Sequence, residues 1–301
     1  MPILKIIKSG TNIKFMRIKK LTLFISSILF ILSLGLVFFK GLNLGIDFTG
    51  GSLIEVRFKE SINLNNLRVE MNKLDLGEIQ LQTIGSENDI VIRVQEKKNS
   101  DNKKIETIQI IKDSLNDKSV EYRRTEFVGP KVGDELVNAG IIAIIFSLFG
   151  ILIYIWLRFQ WNFALGAVIA LIHDVILTLG FFSIFQFEFN LATVAAVLTI
   201  AGYSINDTVV IYDRIRESMR KYKQISFDEV INISLNGTLS RTLMTSLTTL
   251  MALLALFIFG GIVISSFIIA LIWGVLIGTY SSLYVASPIL TYLKQEKRQV
   301  N

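Results

Sequence analysis

Long stretches without charged residues constrain the fold of this chain more than any other feature. Residues 21–39 contain no Lys, Arg, Asp or Glu over 19 consecutive positions. A helix that crosses a lipid bilayer needs about 20 predominantly apolar residues. Further charge-poor stretches of similar length follow, and the charged residues gather in blocks between them. The sequence therefore predicts an α-helical polytopic membrane protein.

Six transmembrane helices are predicted from these stretches. Their bounds are residues 21–39, 137–157, 163–185, 191–212, 243–259 and 266–287. The apolar core of a cleaved signal peptide is shorter, about 7–15 residues, and ends in a small-residue cleavage site. The first stretch is longer and ends in Val37-Phe38-Phe39-Lys40, which predicts a retained helix.

The distribution of Lys and Arg predicts how the helices are oriented. Residues 1–20, 213–241 and 288–301 hold six, six and three of these cations, whereas the loops 186–190 and 260–265 hold none. Because basic loops face the cytoplasm, we expect these three segments, and so both termini, to be cytoplasmic. The same rule accounts for the net charge of +6, so no nucleic-acid partner is predicted.

The one long hydrophilic segment, residues 40–136, is predicted to be a folded domain. It holds 15 Lys and Arg against 17 Asp and Glu, so it is nearly neutral. Alternating and helix-periodic apolar residues within its core, 52–128, give the order β-α-β-β-α-β, which is typical of an α+β ferredoxin-like domain. Long domains cross the membrane largely regardless of charge, so this domain is expected to be extracytoplasmic, in the periplasm.

Composition excludes several classes of function. The chain has no Cys and a single His, His173, which rules out disulfides and thiolate metal sites and makes a zinc or haem site improbable. It has no Gly-rich phosphate loop of the Walker type. We therefore expect neither a metal nor a cofactor, and the sequence offers no soluble enzyme chemistry.

Charged residues inside the predicted helices are the candidate functional groups. His173 and Asp174 lie near the middle of the third helix, Asp207 lies in the fourth, and Arg241 lies at the entrance of the fifth. A charge at membrane depth costs at least about 2.5–3.5 kcal/mol on insertion scales, so each needs a reason. Asp174 could instead be a structural group and Arg241 an interfacial anchor.

Polar residues accompany these groups in stripes. Hydroxyl and small residues let membrane helices approach closely and satisfy polar groups between them, so spans three to six are expected to form a bundle with a polar interior. Small-residue stripes are also compatible with packing alone. The supporting polar residues are His173, Ser204, Asn206, Thr208, Thr242 and Thr245.

Asp207 and Arg241 together suggest a proton site. A low-dielectric environment favours the neutral form of a carboxylate, and a nearby guanidinium favours its charged form. Movement of Arg241 relative to Asp207 would then switch the carboxylate between holding and releasing a proton. One elementary charge crossing the membrane is worth about 2.3 kcal/mol per 100 mV, which is enough to bias a conformational equilibrium.

Three motifs resemble those of the SecF proteins of the SecD/SecF family. The first is Gly45-Ile46-Asp47-Phe48-Thr49-Gly50-Gly51, directly after the first span. The others are the run at residues 201–214, which contains Ser204-Ile205-Asn206-Asp207-Thr208, and the run at 239–246 around Arg241. The resemblance covers nearly the whole chain, although the 52–128 core matches in layout more than in motif.

The resemblance implies a role, partners and site residues. It implies an accessory subunit that works with SecD beside the SecYEG channel and associated Sec subunits of the bacterial inner membrane, in contact with membrane lipids, and promotes passage of a pre-protein by proton motive force. It implies a fold like half of a resistance-nodulation-division (RND) transporter, with Asp207 and Arg241 as the proton-linked pair and a further carboxylate of the relay in SecD. Its junction motif comprises Gly45, Asp47, Gly50 and Gly51. Asp174 is a further candidate in this chain because of its position in the third helix.

Two other functions stay open at this point. One is an RND-like half-transporter for small molecules or lipids, which would need a roomy apolar cleft in the soluble domain. The other is a passive membrane scaffold, for which exchange of Asp207 or Arg241 would have no effect.

Overall fold

The fold is described from a computed structural model. It describes residues 11–74, 76–84, 86–95, 104–118, 120–261 and 264–293, so parts of the predicted cytoplasmic segments 1–20 and 288–301 lie outside the described residues. The chain forms two compact units. The membrane unit comprises Met1–Asn43, Ala143–Phe187 and Ala192–Asn301, and the sheet unit comprises Leu44–Ile142 and Glu188–Leu191.

Ten α-helices occur in the described ranges. In chain order they are α1 Lys19–Phe39, α2 Ile46–Thr49, α3 Leu64–Asn72, α4 Lys104–Leu115, α5 Pro130–Arg158, α6 Trp161–Phe185, α7 Leu191–Lys221, α8 Phe227–Phe259, α9 Ser265–Ser281 and α10 Ser287–Leu293. A five-residue π-helical turn, Ser282–Ala286, joins α9 to α10.

Six β-strands occur in the same ranges. They are β1 Asn43–Leu44, β2 Gly51–Phe58, β3 Glu78–Ile84, β4 Ser86–Gln95, β5 Val120–Val128 and β6 Glu188–Phe189. The two-residue strands β1 and β6 pair with each other. The other four strands form one antiparallel sheet in the order β3-β4-β2-β5.

The four-stranded sheet and helices α3 and α4 form the core of the sheet unit. Alternate residues of β2 point to one face, where Ile54, Val56 and Phe58 pack with Leu67 of α3 and Ile111 of α4. Side chains alternate between the two faces of a strand, so this face is apolar because every second residue is. Along the chain the elements of the core run β-α-β-β-α-β, the predicted order, and the ferredoxin-like assignment remains our interpretation of it.

Six helical segments are long and apolar enough to cross a membrane. They are Phe15–Phe39, Val132–Arg158, Trp161–Phe185, Leu191–Lys221, Phe227–Phe259 and Ser265–Leu293. The prediction of six membrane helices is therefore confirmed. In the third, fourth and sixth segments half or more of the most apolar stretch is buried within the protein, whereas the first, second and fifth are mostly exposed there. The exposed apolar side chains of those three suit contact with lipid.

The fourth and fifth membrane helices extend well beyond the predicted spans. Helix α7 continues to Lys221 and α8 begins at Phe227, so both enter the basic segment 213–241. Ser226 caps α8, because its side chain accepts a hydrogen bond from the Glu229 amide at 3.2 Å. Arg214 of α7 lies beside Gly237 of α8, where an added Cβ would lie 3.3 Å from the Arg214 Nε. The two helices are therefore in contact near this end.

Glycines allow the closest approaches between membrane helices. A Cβ added at Gly180 of α6 would lie 2.3 Å from the Ser33 Oγ and 2.8 Å from the Ser33 Cα of α1. One added at Gly274 of α9 would lie 2.2 Å from a side-chain carbon of Ile200 in α7. Real Cβ atoms essentially never come this close, so these contacts depend on glycine, as is common in membrane helices.

Candidate functional site

Asp174, in the middle of α6, is the centre of a buried polar cluster. Its side chain is fully buried. The hydroxyls of Ser204 in α7 and Ser281 in α9 each donate a hydrogen bond to its Oδ2 at 2.7 Å. The Nδ1 of His173 lies 3.0 Å from its Oδ1. The carboxylate thus joins three membrane helices through groups that carry no fixed charge.

A second set of hydrogen bonds connects α7 to the π-helical turn. The hydroxyls of Thr208 and Ser282 lie 2.9 Å apart, and the Tyr212 hydroxyl donates to the carbonyl oxygen of Ala286 at 3.0 Å. The Ser287 hydroxyl donates to the Ser282 carbonyl oxygen at 2.8 Å. A π-turn leaves carbonyl groups out of the regular helical ladder, and these two hydroxyls satisfy two of them.

Asp207 lies one turn beyond Ser204 on α7, and its environment is different. Its side chain is 4% exposed, yet it accepts no hydrogen bond from any residue in the described ranges. The positive charge of Arg241 lies within electrostatic range of it. No salt bridge within 4 Å joins the two side chains among the residues described. Asp207 is therefore a buried carboxylate whose charge is only loosely compensated.

The other predicted site residues divide into buried and peripheral ones. Thr242 is fully buried, and its hydroxyl has no hydrogen-bond partner among the described residues. Arg241 and Asn206 are exposed on the surface of the membrane unit. Thr245 donates a hydrogen bond to the carbonyl oxygen of Arg241 in its own helix at 2.9 Å. The structure brings His173, Asp174 and Ser204 together, and Thr208 contacts the adjacent turn.

The junction motif holds the start of α7 within the sheet unit. The Asp47 Oδ2 accepts a hydrogen bond from the amide of Leu191, the first residue of α7, at 2.8 Å. A carboxylate at a helix N-terminus satisfies an unpaired amide and interacts favourably with the helix dipole. The amide of Gly45 donates to the Phe189 carbonyl oxygen at 2.9 Å. Asp47 therefore stabilises the first turn of α7.

The two consecutive glycines of this motif have backbone angles that favour glycine. The φ angles are 69° at Gly50 and 120° at Gly51. Side chains with a Cβ rarely adopt such angles. The pair turns the chain between α2 and β2, which explains why the motif ends in Gly-Gly.

Sequence reasoning missed three residues of these two sets of hydrogen bonds. Ser281 bonds to Asp174 and Ser282 bonds to Thr208, both from the sixth membrane segment, and Tyr212 bonds to the π-turn. Ser282 belongs to the small-residue stripe that continues from Gly274 and Gly278. An added Cβ at Gly278 would lie 3.0 Å from the Ser204 Cβ, so this stripe is the signal that could have indicated the contact.

The fold and this site define a polytopic membrane protein with a small sheet domain and buried ionisable groups within its helices. Residues 90–296 match the family model of the protein export membrane protein SecD/SecF, C-terminal, and residues 35–62 match the SecD/SecF GG motif. The chain belongs to the SecD/SecF family of protein export membrane proteins.

Curated relatives carry one shared description. The protein translocase subunit SecF of Rickettsia rickettsii is 47% identical, over 98% of this chain and 96% of the relative. The protein of the same description from Rickettsia prowazekii is 46% identical, over 98% of this chain and 95% of the relative. The similarity therefore extends over nearly the full length of both proteins.

Two solved structures resemble the chain. The crystal structure of SecDF, a translocon-associated membrane protein from Thermus thermophilus, has a TM-score of 0.88 at 33% identity and is matched over 98% of this chain. SecDF in its super-membrane-facing form has a TM-score of 0.70 at 34% identity, over 95% of this chain. The chain spans 40% and 39% of the lengths of those two chains.

Proposed function

We propose that the chain is the SecF-type accessory subunit of a Sec protein translocase. In this proposal it assembles with a SecD subunit and acts beside the SecYEG channel, where the two promote export of pre-proteins by proton motive force. Membership of the SecD/SecF family supports this role. The chain matches less than half of the solved SecDF chains, which is consistent with a second subunit that supplies the remaining part.

One observation carries the proton-linked part of the proposal. Asp207 is a buried carboxylate inside a membrane helix, without a hydrogen bond from the described residues. A charged group in such a place is costly unless it is paired or has a function. Asp174, 33 positions earlier in the same unit, is held by two serine hydroxyls and His173. The Oδ2 of Asp207, by contrast, has no hydrogen-bond partner among the described residues and is free to exchange a proton.

The proposed mechanism uses the position of Arg241. When the guanidinium is near, it stabilises the charged carboxylate, and when it moves away, burial favours the protonated form. A proton that enters from one side and leaves to the other would alternate these states. Each elementary charge that crosses the membrane supplies about 2.3 kcal/mol per 100 mV. Such a bias is comparable with conformational equilibria of a few kcal/mol.

The remaining features are assigned as follows. We place the protein in the bacterial inner membrane with both termini in the cytoplasm, because the basic segments are predicted to face that side. The sheet unit would lie on the opposite side, where an emerging pre-protein is found. Asp47 accepts a hydrogen bond from the first residue of α7, the helix that carries Asp207, so the junction motif would link the domain to the proton site.

Export by membrane vesicles tests the proposal directly. Asp207→Asn in the complex with its SecD partner is expected to remove the stimulation of export by a proton gradient, because the amide cannot release a proton. Arg241→Ala is expected to have the same effect. Glu229→Gln is a matched control, since Glu229 is an exposed carboxylate in the first turn of α8 and its loss should leave stimulation intact.

The outcomes separate three functions. Normal gradient-dependent export in both variants would reject the proton-linked role and favour a passive scaffold. Binding of a small apolar molecule that raises the unfolding temperature of the purified protein, together with normal export in both variants, would favour a half-transporter. Loss of stimulation in Asp207→Asn, with unchanged assembly and unchanged export in the absence of a gradient, supports the proposal.

A further inference from the structure

A basic pocket lies at the end of helix α5, in the membrane unit. It encloses about 630 Å³. Four cationic and two anionic side chains line it, which gives it a net charge of +2. The lining residues are Arg158, Asp213, Arg216, Glu217, Arg220 and Lys221.

The two carboxylates leave part of this positive charge uncompensated. Asp213 pairs with Arg158, with 3.2 Å between the Oδ1 and a guanidinium nitrogen. Glu217 pairs with Arg214, which does not line the pocket, at 2.6 Å. Arg220 and Lys221 are exposed, and neither forms an ion pair with a residue in the described part of the chain. The Lys221 Nζ lies 5.3 Å from the centre of the Tyr222 ring. The pocket therefore offers a ligand two cations that have no anionic partner among the described residues.

The other two guanidinium groups are held in place by an aromatic ring. The guanidinium carbons of Arg158 and Arg216 lie 5.0 Å and 5.2 Å from the centre of the Phe159 ring. Arg216 also donates a hydrogen bond to the carbonyl oxygen of Arg158 at 3.2 Å. Two neighbouring guanidinium groups repel each other, and an anion placed near both would relieve that repulsion. The planar fork of arginine matches the oxygens of a phosphate group.

The surroundings of the pocket favour a lipid over a free anion. Arg158 is the last residue of α5, and Leu157, directly before it, is 82% exposed. Trp156 and Trp161 pack edge to face, with ring centres 5.6 Å apart, and both are largely exposed. Tryptophans are enriched where a membrane meets water. An acyl chain could thus contact this apolar surface while its phosphate reaches the basic pocket.

We propose that this pocket binds the headgroup of an anionic phospholipid, whose acyl chain packs beside Trp156 and Leu157. Basic pockets between membrane helices on the cytoplasmic side bind anionic headgroups in other membrane proteins. Loop charge predicts that this end of α5 faces the cytoplasm. The site is separate from Asp207 and Asp174 and does not depend on the export role proposed above.

Tryptophan fluorescence of the full chain tests the site. The chain has three tryptophans, so Trp273→Phe leaves Trp156 and Trp161 as the reporters. The purified protein is titrated with phosphatidylglycerol that carries brominated chains, which quench nearby tryptophans, and in parallel with brominated phosphatidylcholine. Quenching by the anionic lipid is expected at several-fold lower mole fraction, and this preference should weaken at high salt.

Charge variants made in the Trp273→Phe protein show which residues cause the preference for the anionic lipid. Arg220→Gln with Lys221→Gln is expected to abolish the several-fold preference, because each Lys or Arg near an anionic surface contributes about 1 kcal/mol. Lys223→Gln removes a charge from an exposed residue outside the pocket and should leave the preference unchanged. Arg220→Lys with Lys221→Arg keeps both charges and should retain it, which distinguishes loss of charge from misfolding.

Three results would overturn the proposal. The first is equal quenching by the two lipids, and the second is equal loss in the double variant and in Lys223→Gln. The third is abolition of the lipid preference by millimolar inorganic phosphate, which would identify a site for free anions. The proposal stands if the preference is lost only in the variant that removes both charges of the pocket.

Discussion

The two units of this protein treat a buried carboxylate in opposite ways. In the sheet unit, Asp89 accepts two hydrogen bonds from the Arg57 guanidinium, at 2.6 Å each, and a third from the Ser86 hydroxyl at 2.8 Å. In the membrane unit, Asp174 is bonded by neutral hydroxyls and His173, and Asp207 accepts no hydrogen bond from the described residues.

This difference separates carboxylates that stabilise the fold from a carboxylate whose protonation state can change. A carboxylate with a bidentate guanidinium partner stays charged and fixes its neighbours. Hydroxyl partners fix the position of Asp174 and connect three helices through neutral groups. Asp207 has neither kind of partner, so protonation of its carboxylate breaks no hydrogen bond or ion pair among the described residues.

The largest effect is expected from removal of Asp174. Asp174→Ala should lower the stability of the membrane unit by about 2–4 kcal/mol, because each buried polar group left without a partner costs about 1–3 kcal/mol. Asp207→Ala leaves no donor unpaired and should change stability little. Thermal unfolding of both purified variants in one detergent measures the difference. Equal unfolding temperatures would contradict the distinction between a fixed and an exchangeable carboxylate.

Helix packing in the membrane unit should be the next most sensitive feature. Gly180→Ala places a methyl group against Ser33 of α1, including its backbone, and should destabilise the protein by about 1–3 kcal/mol. Gly150→Ala is the matched control, because a Cβ at Gly150 of α5 meets no atom within 4 Å. Unfolding temperatures would again be compared, and a Gly150 variant as unstable as the Gly180 variant would refute the packing explanation.

The ion pair of the sheet unit should show a pH dependence. The Arg57 guanidinium holds the pKa of Asp89 below its ordinary value. A lowered pKa in the folded state adds stability above the unfolded value of about 3.9, and this stability is lost as the pH falls through the folded value. Asp89→Asn should therefore cost about 1–2 kcal/mol at neutral pH, since Arg57 is partly exposed, and the cost should shrink only as the pH falls below the unfolded value and through the folded pKa of Asp89.

Amide hydrogen exchange in β2 and β4 of the full chain measures this difference. Burial raises the pKa of Glu55, and the nearby charge of Asp89 adds to that rise, so both proteins are compared in a Glu55→Gln background, where this carboxylate cannot titrate. A cost that stays constant as the pH falls from neutral through the folded pKa of Asp89 would show that Asp89 stabilises the sheet through its shape rather than its charge.

The smallest effect is expected at a helix cap of the sheet unit. The Asn63 side chain accepts a hydrogen bond from the Asn65 amide at 2.9 Å, which caps α3. Asn63→Ala should therefore cost about 1 kcal/mol and speed up hydrogen exchange in α3. Asn66→Ala, an exposed change inside the same helix, should leave exchange unchanged or slow it. The opposite ranking would argue against the cap.

The membrane class and helix count could be predicted from the sequence because hydrocarbon excludes charge. The ends of α7 and α8 could not, since charge marks where the hydrocarbon ends and not where hydrogen bonding along the helix stops. Lys221 and Phe227 are helical although they lie in the basic segment.

The candidate site was only partly predictable, for a similar reason. Asp174, Asp207 and Arg241 stand out because each is charged in or beside an apolar stretch. Ser281 lies 107 positions from Asp174, and serine is unremarkable in a membrane helix. Only the packing of α9 against α6 identifies it as a partner of Asp174. The roles of Asp207 and Arg241 remain predictions.

The π-helical turn at Ser282–Ala286 has a mechanical consequence. Such a turn contains one residue more than a regular α-helical turn, and each residue rotates a helix by about 100°. If the surplus residue were absorbed, α10 would have to rotate by about that angle relative to α9. The hydroxyls of Tyr212 and Ser287 bond to carbonyls at the two ends of the turn and would have to let go first. Any rotation of α10 relative to α9 within the sixth membrane segment would therefore require these two hydrogen bonds to break.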